Sequence, residues 1–308
     1  MSTSTRAEVL DAFCGMGGFS WGFREAGFRT CGVDISEQCG LAYLHNRLGE
    51  FVRGDLTKFV PEGRWEVIVG GPPCEPWSLL NLTKRGSAHP KAGCLDAFFR
   101  MVRMLRPKVF VLENVVALKS CSSFQKNLQK LEGWYEISCQ TVRYSDYGAA
   151  TSRRRLFCLG THRRSGLESW EIFQSIRRQK PKSVRDAIWD LRRRAWDPAT
   201  NHVWSKPRTV RRYSRYYVTR RFGWYALRWN LPAPSFGNIT KTYILHPDSL
   251  NGGELRPISV REAMRIMGFP DSYRFPPGLP LVAMYQMVAD SVSPVFSKAL
   301  AGAIRRHL

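Results

Sequence analysis

Short apolar runs alternate with amphipathic helical patterns through the first third of the chain. The runs that predict strands are EVLDAF (8–13), FRTCGVD (28–34), EVIVGG (66–71) and VFVLEN (109–114). The helical patterns between them are FSWGFREAG (19–27), SEQCGLAYLHNRLG (36–49), which Ser36 caps, and CLDAFFRMVRMLRP (94–107). Strands that alternate with helices indicate a doubly wound α/β fold with parallel strands.

The later part of the chain follows a different pattern. YEISCQTVRYSDYG (135–148) and RRRLFCLGT (153–161) predict an antiparallel strand pair. A helix is predicted to start at Ser259, and a final helical pattern (284–308) is interrupted near Pro294. No run of about 18 apolar residues occurs, so no membrane span is expected, and the first residues lack the apolar core of a secretion signal.

Composition narrows the class of protein. With 308 residues, 44% of them hydrophobic, the chain can bury the core of one large domain or of two unequal ones. Its eight cysteines are scattered, and none forms a C-x-x-C pair. That scatter argues against a zinc ribbon or a disulfide framework and fits a reducing compartment.

Charge is concentrated in one region. The formal net charge is +22, and residues 161–230 contain 18 Lys and Arg against 5 Asp and Glu. Tyr and Trp are interleaved with the arginines in KPRTVRRYSRYYVTRRFGWYALRW (206–229). A solvated basic surface is the simpler explanation, but the mixture of charge and aromatic rings favours a smaller domain that faces nucleic acid.

A glycine-rich turn follows the first predicted strand. Gly15, Gly17 and Gly18 lie before a helix, Asp34 ends the second strand about 20 residues later, and Asp55 follows a third extended stretch. A plain tight turn explains the glycines equally well. The acids favour a bound cofactor that carries a nucleoside, and the spacing is not that of a P-loop.

The stretch VGGPPCEPWS (69–78) places Cys74 after two prolines, in a constrained turn at the end of a strand. A single cysteine in such a turn is more often structural than reactive.

Taken together, several motifs resemble those of the DNA (cytosine-5-)-methyltransferase family, in the family's order along the chain. FCGMGG resembles its S-adenosylmethionine (AdoMet) motif, GGPPCEPWS its nucleophile loop and LENV (112–115) its Glu-Asn-Val motif. DYGAATSRRRLF (146–157) resembles the Arg-x-Arg segment, and RPISVREAMRIMGFPDSYRF and YQMVADSVSP resemble the last two motifs.

This resemblance implies a fold and a domain plan. The expected fold is the Rossmann-like α/β fold of AdoMet-dependent methyltransferases, with a mixed seven-stranded sheet and a small basic target-recognition domain. The expected domains are a catalytic AdoMet-binding domain, 1–185 and 276–308, and a DNA target-recognition domain, 186–275. The expected protein is a monomer that acts on double-stranded DNA, in the cytoplasm if the source is prokaryotic or phage and in the nucleus if it is eukaryotic. Any companion restriction endonuclease stays unknown.

The resemblance also implies residue roles. A thiolate from Cys74 would add to C6 of a flipped cytosine, so that C5 can accept the methyl group of AdoMet. Glu113 would act at N3, and Arg155 and Arg153 would hold the base and orient these groups. The segment 75–93 would close over DNA. The implied AdoMet contacts are Phe13, Gly15, Gly17, Gly18, Asp34, Ile35, Asp55, Leu56, Pro73, Asp290, Ser291 and Val292. The implied DNA contacts are Ser78, Arg154, Arg211, Arg212, Arg215, Arg220 and Arg221, and no metal is expected.

The chain departs from the family pattern at three places. Asp290 stands where the family usually has Asn, Met267 where it commonly has Gln, and Ala150-Thr151 where it usually has Pro-Gln. None of these changes removes a reacting group. Two alternatives stay open at this point: a cytosine-C5 methyltransferase that acts on RNA such as tRNA, and a DNA-binding relative without catalysis.

Overall fold

A computed structural model describes residues 8–73, 91, 93–205, 214–219, 224–242 and 244–308. Within these ranges seven strands form one sheet. The strands are β1 (Glu8–Ala12), β2 (Arg29–Asp34), β3 (Glu50–Arg53), β4 (Val67–Gly70), β5 (Val109–Asn114), β6 (Tyr135–Arg143) and β7 (Arg154–His162).

The sheet is mixed, as predicted. Its order is β3-β2-β1-β4-β5-β7-β6, with parallel pairing from β3 through β5. β7 runs antiparallel to both of its neighbours, which confirms the antiparallel pair expected from the sequence. Because β7 is reversed, its first residues lie at the edge where the parallel strands end.

Eleven α-helices accompany the sheet in the described part of the chain. They are α1 (Gly18–Glu25), α2 (Glu37–His45), α3 (Gly93–Leu105), α4 (Ser122–Gln129), α5 (Ser169–Gln174), α6 (Val184–Ile188), α7 (Ser214–Thr219), α8 (Ile239–Thr242), α9 (Val260–Met267), α10 (Leu281–Asp290) and α11 (Pro294–His307).

The chain folds as two compact units. The first contains Met1–Arg143, Arg154–Arg177 and Phe296–Leu308, and the second contains Tyr144–Arg153 and Arg178–Val295. The sheet belongs to the first unit. The functional division into 1–185 with 276–308 and 186–275 stays a prediction.

The core of the first unit explains why its central strands are so apolar. All six residues of β5 are buried, as are all four of β4, because a parallel sheet is covered on both faces. Phe98 of α3 packs edge-to-face against Phe99 and against Phe110 of β5. Such aromatic contacts add to the free energy gained by burying the rings.

The second unit is organised around a buried ion pair. Arg256 donates two hydrogen bonds of 2.7 Å to the carboxylate of Glu262, which is completely buried. Glu262 also accepts from the backbone N–H of Ser259, whose side chain caps α9, so the predicted helix start is confirmed. Burial raises the pKa of Glu262, but hydrogen bonds and charge from Arg256 outweigh burial and hold that pKa below its ordinary value. The interruption of the last helical pattern is also confirmed, since α10 ends at Asp290 and α11 begins at Pro294.

One cysteine pair departs from the sequence prediction. Cys139 and Cys158 are directly opposite in the β6–β7 ladder, with Cα atoms 4.1 Å apart, and they form a disulfide. The scatter of the cysteines argued against a disulfide framework, and it did not predict this single pair. The two cysteines meet because of the register of β6 and β7. Their separation of 19 residues along the chain does not by itself indicate this contact. Among the described residues, Cys14, Cys31 and Cys121 are free thiols.

None of the helices in the described ranges has the length and apolar character needed to span a bilayer.

Helix α1 approaches α11 closely at Gly22. Ser297 donates a hydrogen bond of 2.8 Å from its hydroxyl to the carbonyl of Phe19, and a methyl group at Gly22 would overlap the backbone of Ser297 and Lys298. Glycine at this position therefore lets the first and last helices of the chain pack together.

We expect Gly22→Ala to lower the free energy of unfolding by about 1–3 kcal/mol, the usual penalty of overpacking. Denaturant titration measures the change. Gly133→Ala is the matched control, because a methyl group there meets nothing within 4 Å. Equal stability of the two variants would contradict this account of the α1–α11 contact.

Candidate functional site

The glycine turn lies at the end of β1, where the sheet order reverses. The chain leaves β1 for β2 and β3 on one side and returns to β4 on the other, and ligands of doubly wound folds bind at this position. Phe13, Gly15 and Gly17 have φ values of 58°, 54° and 84°. Such angles suit glycine but are rare for phenylalanine, which indicates that the surrounding structure enforces the turn.

Asp34 holds this turn in place. Its carboxylate accepts a hydrogen bond of 2.9 Å from the backbone N–H of Gly15 and another of 2.9 Å from that of Ser36. Burial raises the pKa of Asp34 above its ordinary value, although these hydrogen bonds oppose the rise. The second-strand acid predicted from the sequence thus lies against the glycine turn.

A second carboxylate, Asp11, supports the turn from β1. The side chain of Asp11 is buried and accepts hydrogen bonds from the backbone N–H of Ser20, at 3.1 Å, and from its hydroxyl, at 2.7 Å. The Tyr43 hydroxyl in turn donates to Ser20 at 2.8 Å. Burial raises the pKa of Asp11 to about 7. Asp11 was not predicted as a site residue, although an acid inside an apolar strand was a signal for it.

The remaining predicted AdoMet residues of the first unit follow the ends of β2, β3 and β4. Ile35 follows Asp34 and is 63% exposed, which is unusual for an isoleucine next to a buried sheet. Asp55 lies two residues beyond β3, and Leu56 beside it is buried. Hydrogen bonds from Thr57 lower the pKa of Asp55. Pro73 is the last described residue before Cys74.

Glu113 and Arg155 meet at the end of β5. The Nε atom of Arg155 lies 3.2 Å from Oε1 of Glu113, and both side chains are largely buried, with 13% and 8% of their surface exposed. Glu113 is paired with Phe157 in the ladder, so Arg155, two residues earlier on β7, projects from the same face and reaches diagonally across. The structure therefore brings these two predicted catalytic residues together.

The chain that leads to Cys74 passes beside this ion pair. Asn114 donates a hydrogen bond of 2.9 Å from its side chain to the carbonyl of Pro72. A methyl group on Gly71 would lie 3.2 Å from Oε2 of Glu113, so glycine allows this close approach. Cys74 itself, Ser78 and nearly all of the segment 75–93 lie outside the described residues. Asn114 was not assigned a role from the sequence, although the Glu-Asn-Val motif contains it.

Arg153 and Arg154 are placed differently from Arg155. Arg153 belongs to the second unit, is buried, and donates from Nη1 to the carbonyl of Phe236 at 3.3 Å. Arg154 begins β7 and is exposed. The catalytic role of Arg153 and the DNA contact of Arg154 stay predictions.

The last predicted AdoMet residues, Asp290, Ser291 and Val292, lie in the second unit. Asp290 accepts a hydrogen bond of 2.8 Å from the amide nitrogen of Gln286. The amide oxygen of Gln286 accepts one of 2.9 Å from Asn238, whose own oxygen accepts from the N–H and hydroxyl of Thr240. A carboxylate can only accept, so Asp290 fixes the orientation of the Gln286 amide and the direction of every later hydrogen bond.

Of the predicted DNA contacts in the basic region, Arg215 is described. It is exposed on α7, with Cζ 5.2 Å from the ring centroid of Tyr216. Arg211, Arg212, Arg220 and Arg221 lie outside the described residues. Their roles stay predictions.

This sheet, its glycine turn and the acids at the strand ends define a doubly wound α/β protein with a cofactor-type site. The sequence profile of the C-5 cytosine-specific DNA methylase family matches residues 7–306. The chain therefore belongs to that family, and the resemblance identified from its motifs is confirmed.

Individual type II methyltransferases are similar to this chain along nearly their whole length. The type II methyltransferase M.FnuDI of Fusobacterium nucleatum is 26% identical over 98% of this chain and 95% of its own. M.NgoPII of Neisseria gonorrhoeae, another type II methyltransferase, is 25% identical over 100% and 98%. Among solved structures, Dnmt2 of S. pombe superposes with a TM-score of 0.73 at 15% identity, over 99% of this chain and 98% of its own. At that identity the superposition supports the fold alone.

The buried carboxyl of Asp11 should leave a pH signature on stability. Its folded-state pKa, about 7, lies above the ordinary 3.8. The stabilising contribution is therefore complete below the ordinary value and is lost as pH rises through about 7. We expect the free energy of unfolding of wild type, relative to Asp11→Asn, to fall between about pH 5 and about pH 8 in denaturant titrations.

Asp55→Asn is the control for this measurement, because the pKa of Asp55 is lowered, so its contribution does not change over the same interval. A difference between wild type and Asp11→Asn that is constant with pH would contradict the assignment of a raised pKa to Asp11.

The direction of the hydrogen bond between Gln286 and Asp290 can be tested by moving the negative charge from position 290 to position 286. Gln286→Glu places two carboxylates one helical turn apart and should lower the free energy of unfolding by about 0.5–1 kcal/mol. Adding Asp290→Asn restores a donor and should recover most of that loss. Denaturant titration of both single variants and the double variant measures the coupling energy between positions 286 and 290. Strictly additive changes in the free energy of unfolding would contradict the proposed hydrogen-bond direction.

Proposed function

We propose that this protein is an AdoMet-dependent methyltransferase that transfers a methyl group to C5 of a cytosine flipped out of double-stranded DNA. Membership of the cytosine-specific family supports the reaction class. The observation that carries the proposal is the ion pair of Glu113 and Arg155, 3.2 Å apart, beside the residues that lead into Cys74.

The chemistry requires a nucleophile, because C5 of cytosine is itself a poor one. When the Cys74 thiolate adds to C6, C5 gains enamine-like reactivity and can attack an electrophilic methyl group. After transfer, the proton on C5 leaves to a water-derived base, the bond between sulfur and C6 breaks, and Cys74 is regenerated as a thiolate. The prolines before Cys74 restrict the backbone, which favours one presentation of the thiol.

Glu113 would hold a proton at N3 of the cytosine while the adduct exists, and would take it back on elimination. Arg155 fixes the position of the Glu113 carboxylate by a charge-assisted contact. Asn114 holds the carbonyl of Pro72, so the loop that carries Cys74 is tied to the same strand end as Glu113. One short strand end thus organises both the nucleophile and the proton carrier.

The residues at the glycine turn fit AdoMet. When bound, AdoMet supplies a methyl group on a positively charged sulfur. A side chain added at Gly15 would meet nothing within 4 Å, so there is open space over the turn, and Asp34 lies beside it with its carboxylate already oriented. Asp34 would bind the ribose hydroxyls, Ile35 would cover the adenine, and Asp55 with Leu56 would contact the adenine edge. Asp290, Ser291 and Val292 are proposed as further AdoMet contacts.

Affinity for DNA would come from phosphate contacts of the basic region, and it would therefore depend on salt. Sequence choice would come from contacts with base edges, such as those of arginine with guanine. We propose Arg154 and Arg215 among the DNA contacts, and a monomer as the working form.

The proposed function is tested by measuring the transfer of labelled methyl groups from AdoMet to duplex DNA. The same assay is run in parallel with tRNA as the substrate. We expect transfer to duplex DNA, its loss in Cys74→Ala, and a decrease of about 10²–10⁴-fold in Glu113→Gln, the usual range for removal of a general acid–base group. Cys121→Ala, at a free cysteine of the first unit, should retain wild-type activity.

The alternatives give different results in the same assay. Methyl transfer to tRNA in place of DNA would contradict the choice of substrate. DNA binding without transfer by wild type would indicate a non-catalytic relative. Label at cytosine C5 that persists in Cys74→Ala would contradict the role of the thiol.

A further inference from the structure

The segment 178–196, at the start of the longer stretch of the second unit, carries a dense positive charge and contains none of the individual DNA contacts named above. It contains seven Lys and Arg and only two Asp. All of its residues are described, and the side chains of Lys180, Lys182, Arg185, Arg193 and Arg194 are exposed. A charge of this density on an ordered surface favours the binding of an anionic ligand.

Two arginines of this segment lie over the same indole ring. Cζ of Arg185 is 4.0 Å from the ring centroid of Trp189, and Cζ of Arg192 is 3.5 Å from it. The two guanidinium carbons are therefore no farther apart than the sum of these distances. We call Arg185, Trp189 and Arg192 the guanidinium platform. Nη1 of Arg192 donates to the carbonyl of Trp189 at 3.4 Å, and stacking leaves the other N–H groups at the edge of each guanidinium able to donate hydrogen bonds.

The platform is built on a rigid base. Trp189 packs edge-to-face on Trp229, with ring centroids 5.0 Å apart, and Trp229 donates from Nε1 to Asp248 at 2.7 Å. Trp229 also packs against the buried ring of His246. The backbone N–H of Arg185 donates to the carbonyl of Trp229 at 2.8 Å, which ties α6 to the same base. A ligand that binds here therefore orders few groups that are not already ordered.

The two acids of the segment are engaged elsewhere. Asp186 accepts from the backbone N–H and hydroxyl of Ser183 in a capping box. Asp190 pairs with Arg265 at 2.6 Å and with Arg194 at 3.7 Å. Among the described residues, no ion pair involves Arg185 or Arg192. The platform thus holds two neighbouring positive charges that repel each other, and an anion placed at their edges would relieve that repulsion.

We propose that the guanidinium platform binds the phosphodiester backbone of duplex DNA, as a contact that adds affinity without reading sequence. Arginine donors in a fixed plane match the oxygens of a phosphate. Lys180, Lys182 and Arg193 of the same segment are also exposed and add positive charge that favours a polyanion. The choice of duplex DNA rests on the proposed function, whereas the charge and geometry of the platform do not.

The experiment compares the salt dependence of DNA binding between wild type and three variants. Arg185→Gln, Arg192→Gln and the double variant are titrated with a labelled duplex by fluorescence anisotropy over a series of salt concentrations. Each phosphate contact contributes about 0.9 to the slope of log Kobs against log salt. We expect the slope to become shallower by about one in each single variant and by about two in the double variant. The change should be the same for duplexes of unrelated sequence.

Arg106→Gln is the matched control. Cζ of Arg106 lies 4.9 Å from the ring centroid of Trp134 in the first unit, and Trp134 and Trp189 are equally exposed, at 37%. This control removes the same charge from the same kind of pair, so its slope should stay that of wild type. Replacing both platform arginines with lysine keeps the charge but loses the planar donors, and should weaken binding less than the double Gln variant.

Each outcome bears on the proposal. Slopes of the double variant equal to that of Arg106→Gln would overturn it, and a loss confined to one DNA sequence would overturn the assignment to the backbone. Tighter binding of a hairpin RNA that depends on both arginines would overturn the choice of DNA. Methyl transfer is measured on the same preparations to separate this proposal from the proposed function. The proposed DNA contact of the platform can be wrong even if wild type methylates DNA.

Discussion

The contact between Arg155 and Glu113 depends on a reversal in the sheet. Five strands run parallel, and their carboxyl ends meet at one edge, where the polar residues of the site collect. β7 runs in the opposite direction, so its amino-terminal residues arrive at that same edge. A parallel strand in this position would deliver its last residues instead, and Arg155 would lie far from Glu113. One change of strand direction thus supplies the cation that fixes the carboxylate.

Buried acids are the other constraint at this edge. Asp11 and Asp34 both lose hydration on folding, which raises the pKa of each. Backbone N–H groups of the turn and of helices α1 and α2 partly compensate, through Ser20, Gly15 and Ser36. These carboxylates therefore hold the turn through hydrogen bonds while they lose their own hydration. The space above Gly15 is open, and a cofactor would bind there.

Local features of the sequence predicted much of this arrangement. Apolar runs gave the strands, and Ser36 and Ser259 marked helix starts correctly because capping involves residues only three positions apart. The order of the motifs gave the family. The contact of Asn114 with Pro72, the pairing of Cys139 with Cys158 and the guanidinium platform join residues through register or tertiary packing. Spacing along the chain carries little information about such contacts.

The proposed mechanism requires the sulfur atom of Cys74 to become joined to the cytosine ring during methyl transfer. A duplex with 5-fluorocytosine at the target position tests it directly, because fluorine at C5 cannot leave as a proton and the adduct cannot be resolved. With AdoMet present, the account predicts a covalent protein–DNA complex that resists denaturant, and peptide mapping should locate the DNA on Cys74. Methylation of ordinary cytosine with no such complex on the fluorinated duplex, or a cross-link at another residue, would contradict it.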